Sequence, residues 1–230
     1  ITAVVARLDH EHDCVQEAVQ ALGQLAVHGD RRAISAVSDG LQHNNERVRE
    51  AAVQALVLLS PRGDDFVIRL VSGHLANRSQ DVRESAIQAL AQLADKSDRH
   101  VIDALNCFLE HQASHVRRSV VQAFGQLANK RDEYALAVVS TRLKHCDPGV
   151  REAAIYAIGL LAERSEQEVV DIVISHLKDR ASNVRLASLY VLGQIAGDLN
   201  QQAIAAVRSR LEDQDSIVKD VAARVLTLLE

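Results

Sequence analysis

The dipeptide Val-Arg returns every 34 residues, at Val48-Arg49, Val82-Arg83, Val116-Arg117, Val150-Arg151 and Val184-Arg185, and then as Val218-Lys219. Thirty-four residues before Val48 stands Cys14-Val15, and Ala18-Val19-Gln20-Ala21-Leu22 aligns there with Ala52-Val53-Gln54-Ala55-Leu56. A fixed period over seven copies restricts the chain to a tandem array in which each copy is one small structural unit. The composition says which kind. Hydrophobic residues make up 47% and aromatic ones 3%, with no Trp and no Met, so the interior is built from aliphatic side chains and alanine. That suits close-packed helices, and two Pro with ten Gly are too few to punctuate many strands, which sets aside an all-β fold and a disordered chain.

Each copy reads as two helices. The second starts near the Val-Arg pair and carries a stripe such as Val82, Ala86, Ala89, Leu90 and Leu93, the spacing of an amphipathic helix. The first ends at a leucine seven residues before the Val, namely Leu41, Leu75, Leu109, Leu143, Leu177 and Leu211, with Leu8 six residues before Cys14. Asp30, Asp64, Asp98, Asp132, Glu166 and Asn200 mark where the first helices begin, as N-cap acceptors for orphan amides. Asp147-Pro148 is an N-cap followed by Pro at the first helical position. Helices of about 12 residues are marginal alone, so neighbouring pairs must stack. The expected fold is all-α, an α-α superhelix of about seven 34-residue repeats, a single domain over 1–230. Its repeats run approximately 1–28, 29–62, 63–96, 97–130, 131–164, 165–198 and 199–230.

Lys and Arg number 26 against 31 Asp and Glu, a formal charge of -5, which argues against generic binding of polyanions. Three cysteines, Cys14, Cys107 and Cys146, cannot close a disulfide framework, which fits a reducing, intracellular and cytoplasmic setting. No apolar run reaches the length of a membrane span. The chain opens on Ile1 and closes on Leu229-Glu230 straight after an apolar run. Further flanking repeats, or self-association through the terminal repeats, are therefore expected.

The run Leu-x6-Val-Arg-x-x-Ala followed by Ala-Leu-Gly or Ala-Phe-Gly, as in Val116-Arg117 through Ala123-Phe124-Gly125, resembles the HEAT repeats. Within them it is similar to the short regular class of the phycobilisome lyases, and the resemblance covers essentially the whole chain. Tetratricopeptide repeats share the period, but their aromatic and Pro signature positions are missing. The resemblance implies second helices lining a concave surface and a ladder of arginines against neighbouring loops. It implies little about function, because the family spans scaffolds, adaptors, bilin lyases, a di-iron hydroxylase and DNA glycosylases. The hydroxylase uses His-Glu pairs after the Arg of the second helix; this chain has Glu50-Ala51, Glu84-Ser85, Arg118-Ser119, Glu152-Ala153 and Leu186-Ala187 there. No Gly-rich phosphate loop and no nucleophile elbow occur, so no catalytic residues and no cofactor are assigned.

On the second helices, positions two, six and ten after the Val avoid the apolar stripe and are expected to face solvent. The first column reads Gln16, Glu50, Glu84, Arg118, Glu152, Leu186 and Asp220. The second reads Gln20, Gln54, Gln88, Gln122, Tyr156, Tyr190 and Arg224, and the third Gln24, Leu58, Gln92, Gln126, Leu160, Gln194 and Leu228. The Gln run gives way to tyrosine in two adjacent copies, and Tyr supplies large contact area at low entropy cost. The expected partner surface is Tyr156, Leu160, Leu186, Tyr190 and Gln194, rimmed by Arg118, Gln122, Glu152 and Arg224. The bland alternative is that the tyrosines cover the edge of the core.

The column Arg49, Arg83, Arg117, Arg151, Arg185 and Lys219 is read as the structural ladder rather than a phosphate stripe. The acid the resemblance places five residues before the Val is here His43, Asn77, His111, His145, Asp179 and Asp213. The first four arginines are thus expected to bond carbonyls or to stand open to an anion. His43, His111 and His145 sit in copies roughly 10 Å apart or more, whereas zinc ligands converge to about 2.0 Å, so no metal site is read. Neither His111 with His115 nor His145 beside Cys146 has a ligand spacing. Tyr134 falls on a first helix and is expected to pack on the convex side. The reading is a non-enzymatic scaffold that binds a protein or peptide. An accessory subunit of a phycobilin lyase is the alternative, and a nucleic-acid-binding solenoid the third.

Overall fold

The computed structural model describes residues 26–197 and 200–230, together with Glu17 and Ala21. The first-repeat positions Leu8, Cys14, Gln16, Gln20 and Gln24 lie outside the described residues. Among the described residues there are twelve α-helices and no strand, grouped in two compact units, Ile1–Leu127 and Ala128–Glu230. The first unit holds α1 (Arg31–Asp39), α2 (Glu46–Leu59), α3 (Asp65–Gly73), α4 (Gln80–Leu93), α5 (Arg99–Phe108) and α6 (Ser114–Leu127). The second holds α7 (Glu133–Ser140), α8 (Pro148–Leu161), α9 (Gln167–His176), α10 (Ser182–Ile195), α11 (Gln201–Arg208) and α12 (Ser216–Leu229). The fold is an α-α solenoid of helix pairs, a short first helix followed by a second of 14 residues.

The polar column ahead of the first helices does what its chemistry dictates. Asp30, Asp64 and Asp98 each accept two amides of the following turn, and Asp132 and Asn200 accept one. Glu166, one methylene longer, caps no amide of its own helix; its carboxylate accepts from the Glu163 amide at 3.1 Å instead. The residue just before each cap, at Gly29, Gly63, Ser97, Arg131 and Ser165, has φ between 58° and 84°. This left-handed turn aims its amide at the end of the next second helix, where the carbonyls of Leu59, Leu93, Leu127, Leu161 and Ile195 accept it at 2.6–2.8 Å. A carbonyl that a helix C-terminus leaves unpaired is thereby satisfied from the neighbouring repeat.

The second tie between repeats is arginine. Arg49, Arg83, Arg117, Arg151 and Arg185 each donate through Nη1 to two carbonyls of the loop before their own helix, at 2.7–3.2 Å. The remaining donors reach the following repeat. Arg151 grips Asp179, and Arg185 grips Asp213, through two bonds of 2.6–2.9 Å each. For two of the arginines that lack the acid a serine takes its place: Arg49 Nε donates to Ser85 Oγ at 3.2 Å and Arg83 Nε to Ser119 Oγ at 2.8 Å, whereas Arg117 has His145 and Ala153 at these two positions. Lys219 is exposed.

His43, His111 and His145 have work of their own. Through Nδ1 each accepts the amide two residues on, at 3.0–3.1 Å, the bond that Asn77, Asp179 and Asp213 make through Oδ1 in the same column. Burial disfavours the Asp179 and Asp213 carboxylates, but the arginine and amide bonds outweigh it and hold both below the ordinary carboxylate range. In the first unit, burial pushes the His74 imidazole below its usual value against the pull of Asp39, and its Nε2 lies 2.9 Å from the Ser38 Oγ.

Among the described residues the cores are aliphatic, with Phe124 the largest wholly buried side chain. Two glycines on the same column of the second unit set different spacings. A Cβ on Gly159 would meet the buried Val191 side chain at 2.8 Å, whereas one on Gly193 would meet Val225 at an ordinary 3.5 Å. Gly159 therefore lets α8 press against α10 more closely than α10 presses against α12.

Three outcomes follow from this packing. Gly159→Ala lowers stability by about 1 kcal/mol, because overpacking against a stiff buried Val outweighs the helix propensity that Ala gains. Gly193→Ala leaves it unchanged or raises it, so thermal unfolding followed by circular dichroism moves to lower temperature for Gly159→Ala and does not for Gly193→Ala. Asp213→Ala costs about 3 kcal/mol by urea unfolding because it strands the Arg185 guanidinium. Asp81→Ala, whose exposed carboxylate lies 3.9 Å from Arg49, costs under about 0.5 kcal/mol. His74 has a depressed folded value, so its share of the stability is full while the ring is neutral and falls as the pH drops below about 6.5. The carboxylates, also depressed, keep theirs until the pH falls below about 4. His74→Gln flattens the dependence of the urea midpoint between about pH 7 and 5.5 and leaves the acid limb in place.

Candidate functional site

In the structure the three solvent columns of the second helices are exposed at nearly every described position. Glu50, Glu84, Gln54, Gln88, Gln92 and Gln126 give the first unit a hydrated face, to which exposed Arg118 and Gln122 on α6 belong. The other seven expected partner residues lie in the second unit, on α8, α10 and α12. Leu160 is 37% exposed and Tyr190 44%, while Tyr156 and Leu186 are half-buried. Gln194 and Arg224 are exposed and Glu152 is half-buried.

The positions of these side chains come from packing beneath them. On α8 the inward faces of Ala153, Ala154, Ala157 and Ile158 are buried, and on α10 those of Ala187, Leu189, Val191 and Leu192. The two helices pack side by side, with Val191 seated at Gly159, so the columns run in register across the pair. Tyr156 and Tyr190 then occupy equivalent places on neighbouring helices. Glu152 Oε2 accepts from Asn183 Nδ2 at 2.7 Å and ties the first turns of α8 and α10 together.

Beyond Tyr190 the surface continues into a groove of about 290 Å³ between α10 and α12, lined by Tyr190, Gly193, Gln194, Val221, Arg224, Val225 and Leu228. Three of these, Tyr190, Gln194 and Arg224, belong to the surface expected from sequence. Gly193, Val221, Val225 and Leu228 do not, and their columns carry no distinguishing signal, since glycine also stands at Gly23, Gly125 and Gly159 and leucine at Leu58 and Leu160. Leu228 is 67% exposed at the lip of the groove. On the first helices of the same unit a second groove of about 320 Å³ lies between α7 and α9, with Leu136, Ala137, Val169 and Ile172 on its walls and Glu133, Glu166, Glu168 and Arg131 at its edges.

The remaining candidates from sequence are dispersed. The arginine column is engaged by loop carbonyls, serines and aspartates. Cys107 and Cys146 are exposed, and Tyr134 is half-buried on α7. Among the described residues no three His, Cys, Asp or Glu converge as a metal would require, and no helix is long and apolar enough to cross a membrane.

Comparison with known proteins adds the family. A model of the HEAT repeats matches residues 1–91, 69–159 and 136–227. No curated protein matches the chain. Among solved structures, human deoxyhypusine hydroxylase in complex with glycerol is similar over 99% of this chain and 83% of its own, at 19% identity and a TM-score of 0.43. A designed armadillo repeat protein in complex with the peptide (KR)4 is similar over 99% of this chain and 98% of its own, at 18% identity and a TM-score of 0.47. An engineered protein matches over 99% and 95%, at 18% identity and a TM-score of 0.45. With the 34-residue period, the paired helices and a family model matched along nearly its whole length, this chain belongs to the HEAT-repeat family.

Proposed function

We propose that the chain is a non-enzymatic scaffold that binds a protein or peptide on the exposed face of its second helices, toward the C-terminal half. The observation that carries this reading is the change of one solvent column from Gln54, Gln88 and Gln122 to Tyr156 and Tyr190, with Leu160 and Leu186 beside them. A Gln face is well hydrated and costs energy to dry, whereas Tyr and Leu on rigid helices favour burial and lose little entropy on doing so. Gln194 completes the patch in the second unit, and Glu152 and Arg224 are assigned to its polar rim. The arginine ladder is assigned a structural role, since Arg49, Arg83, Arg117, Arg151 and Arg185 all hold loop carbonyls through Nη1 and a phosphate would have to displace them.

Affinity capture from an extract of the source cell tests this. A partner is expected to be held by the wild type, weakened about tenfold or more by Tyr156→Ala with Tyr190→Ala, and kept by Gln54→Ala with Gln88→Ala. Equal capture by all three proteins would refute the assigned face. The phycobilin-lyase reading predicts instead a retained bilin with visible absorption, and the nucleic-acid reading predicts affinity that falls steeply with salt.

A further inference from the structure

We propose that the groove between α10 and α12 is the anchor pocket of this binding surface, and that it takes an apolar side chain adjoining an Asp or Glu in a segment of a partner protein. The proposal rests on the scaffold reading above and names the chemistry of the partner.

The pocket exists because of a difference in spacing within one column. At Gly159 the space left by the missing Cβ is filled by Val191 at 2.8 Å. At Gly193, one repeat on, the nearest atoms of Val225 stand at 3.5 Å and that of Leu228 at 3.9 Å. Gly193 forms a shallow floor there, on which a Cβ would already meet Val225 and Leu228 at ordinary contact distance, and Val221, Val225, Leu228 and Tyr190 line the groove with it. An apolar wall with an exposed leucine at its lip favours an apolar occupant.

Charge selects the neighbour of that occupant. Arg224 is the one charged residue lining the groove, is exposed, and has no ion pair or side-chain hydrogen bond among the described residues. Asp220, a turn earlier on α12, does not line the groove. A guanidinium beside an apolar pocket pairs bidentately with a carboxylate and gains strength as the bound segment excludes water. Arginine next to a tyrosine and a leucine is also the composition of an interface hot spot.

The test uses the full chain and a phage-displayed library of random peptides of about twelve residues, fused so that none has a free C-terminus. Enriched peptides are then measured by fluorescence polarisation, with thermal unfolding confirming that every variant is folded. The expected result is enrichment of Asp or Glu within two positions of Leu, Ile or Phe. Arg224→Glu weakens binding about tenfold or more, and a Lys placed at the acidic position of the peptide restores affinity to that variant. Gly193→Leu, which fills the floor, weakens binding to a similar degree. The proposal is overturned if no peptide is enriched, if the enriched peptides carry no acid, or if Arg224→Glu and Gly193→Leu leave affinity unchanged. Peptides that lose binding with Tyr156→Ala and Tyr190→Ala but tolerate Arg224→Glu and Gly193→Leu would overturn this pocket and leave the scaffold reading standing.

Discussion

Everything in this fold depends on one helix pair being unable to cover itself. Each pair presents an apolar face to the next, and a second helix of 14 residues with a first of 8 to 10 has no other means of drying that face. Apolar contact alone would leave neighbouring pairs free to slide, since burial is not directional. Two polar devices remove that freedom within each unit. The left-handed turn residue sends its amide to the end of the next second helix, and the arginine spans its own loop and the following repeat. Both join groups that would otherwise be buried with unmet hydrogen bonds, so the register they impose also removes a desolvation cost.

The arginine shows how a repeat tolerates change. Its Nη1 always meets the same two loop carbonyls, so that half of the interaction needs no particular side chain. The other half is met by aspartate at Asp179 and Asp213 and by serine at Ser85 and Ser119. His43, Asn77, His111 and His145 remain in the vacated acid column because that position has a second duty, accepting the amide two residues on, which an imidazole nitrogen or an amide oxygen performs as well as a carboxylate. For Arg49 and Arg83, loss of the acid therefore moves the ladder partner by eight residues, from the loop to the helix, and leaves the turn intact.

Function in such a fold is confined to positions that packing leaves free. The inward residues of α8, α10 and α12 are committed to the core, the loops to the ladder, and the N-caps to helix ends. What remains is the solvent column, and it is there that the chain departs from its own pattern, with Tyr156, Tyr190, Leu160 and Leu186 replacing a run of Gln and Glu. The groove beside Tyr190 lies along the same exposed columns, with Gly193 among its lining residues.

The period, the two helices per copy, the N-cap column and the solvent columns were legible in the sequence, because each depends on spacing along a single helix or on repetition between copies. The break in the Gln column at Tyr156 and Tyr190 was legible for the same reason. The serine partners of Arg49 and Arg83, the left-handed Ser97, Arg131 and Ser165, and the groove at Gly193 were decided by tertiary structure. All of these turn on how closely one repeat approaches the next. That distance is set by side-chain volumes on two helices together, Gly159 against Val191 and Gly193 against Val225, and no single stretch of sequence contains it.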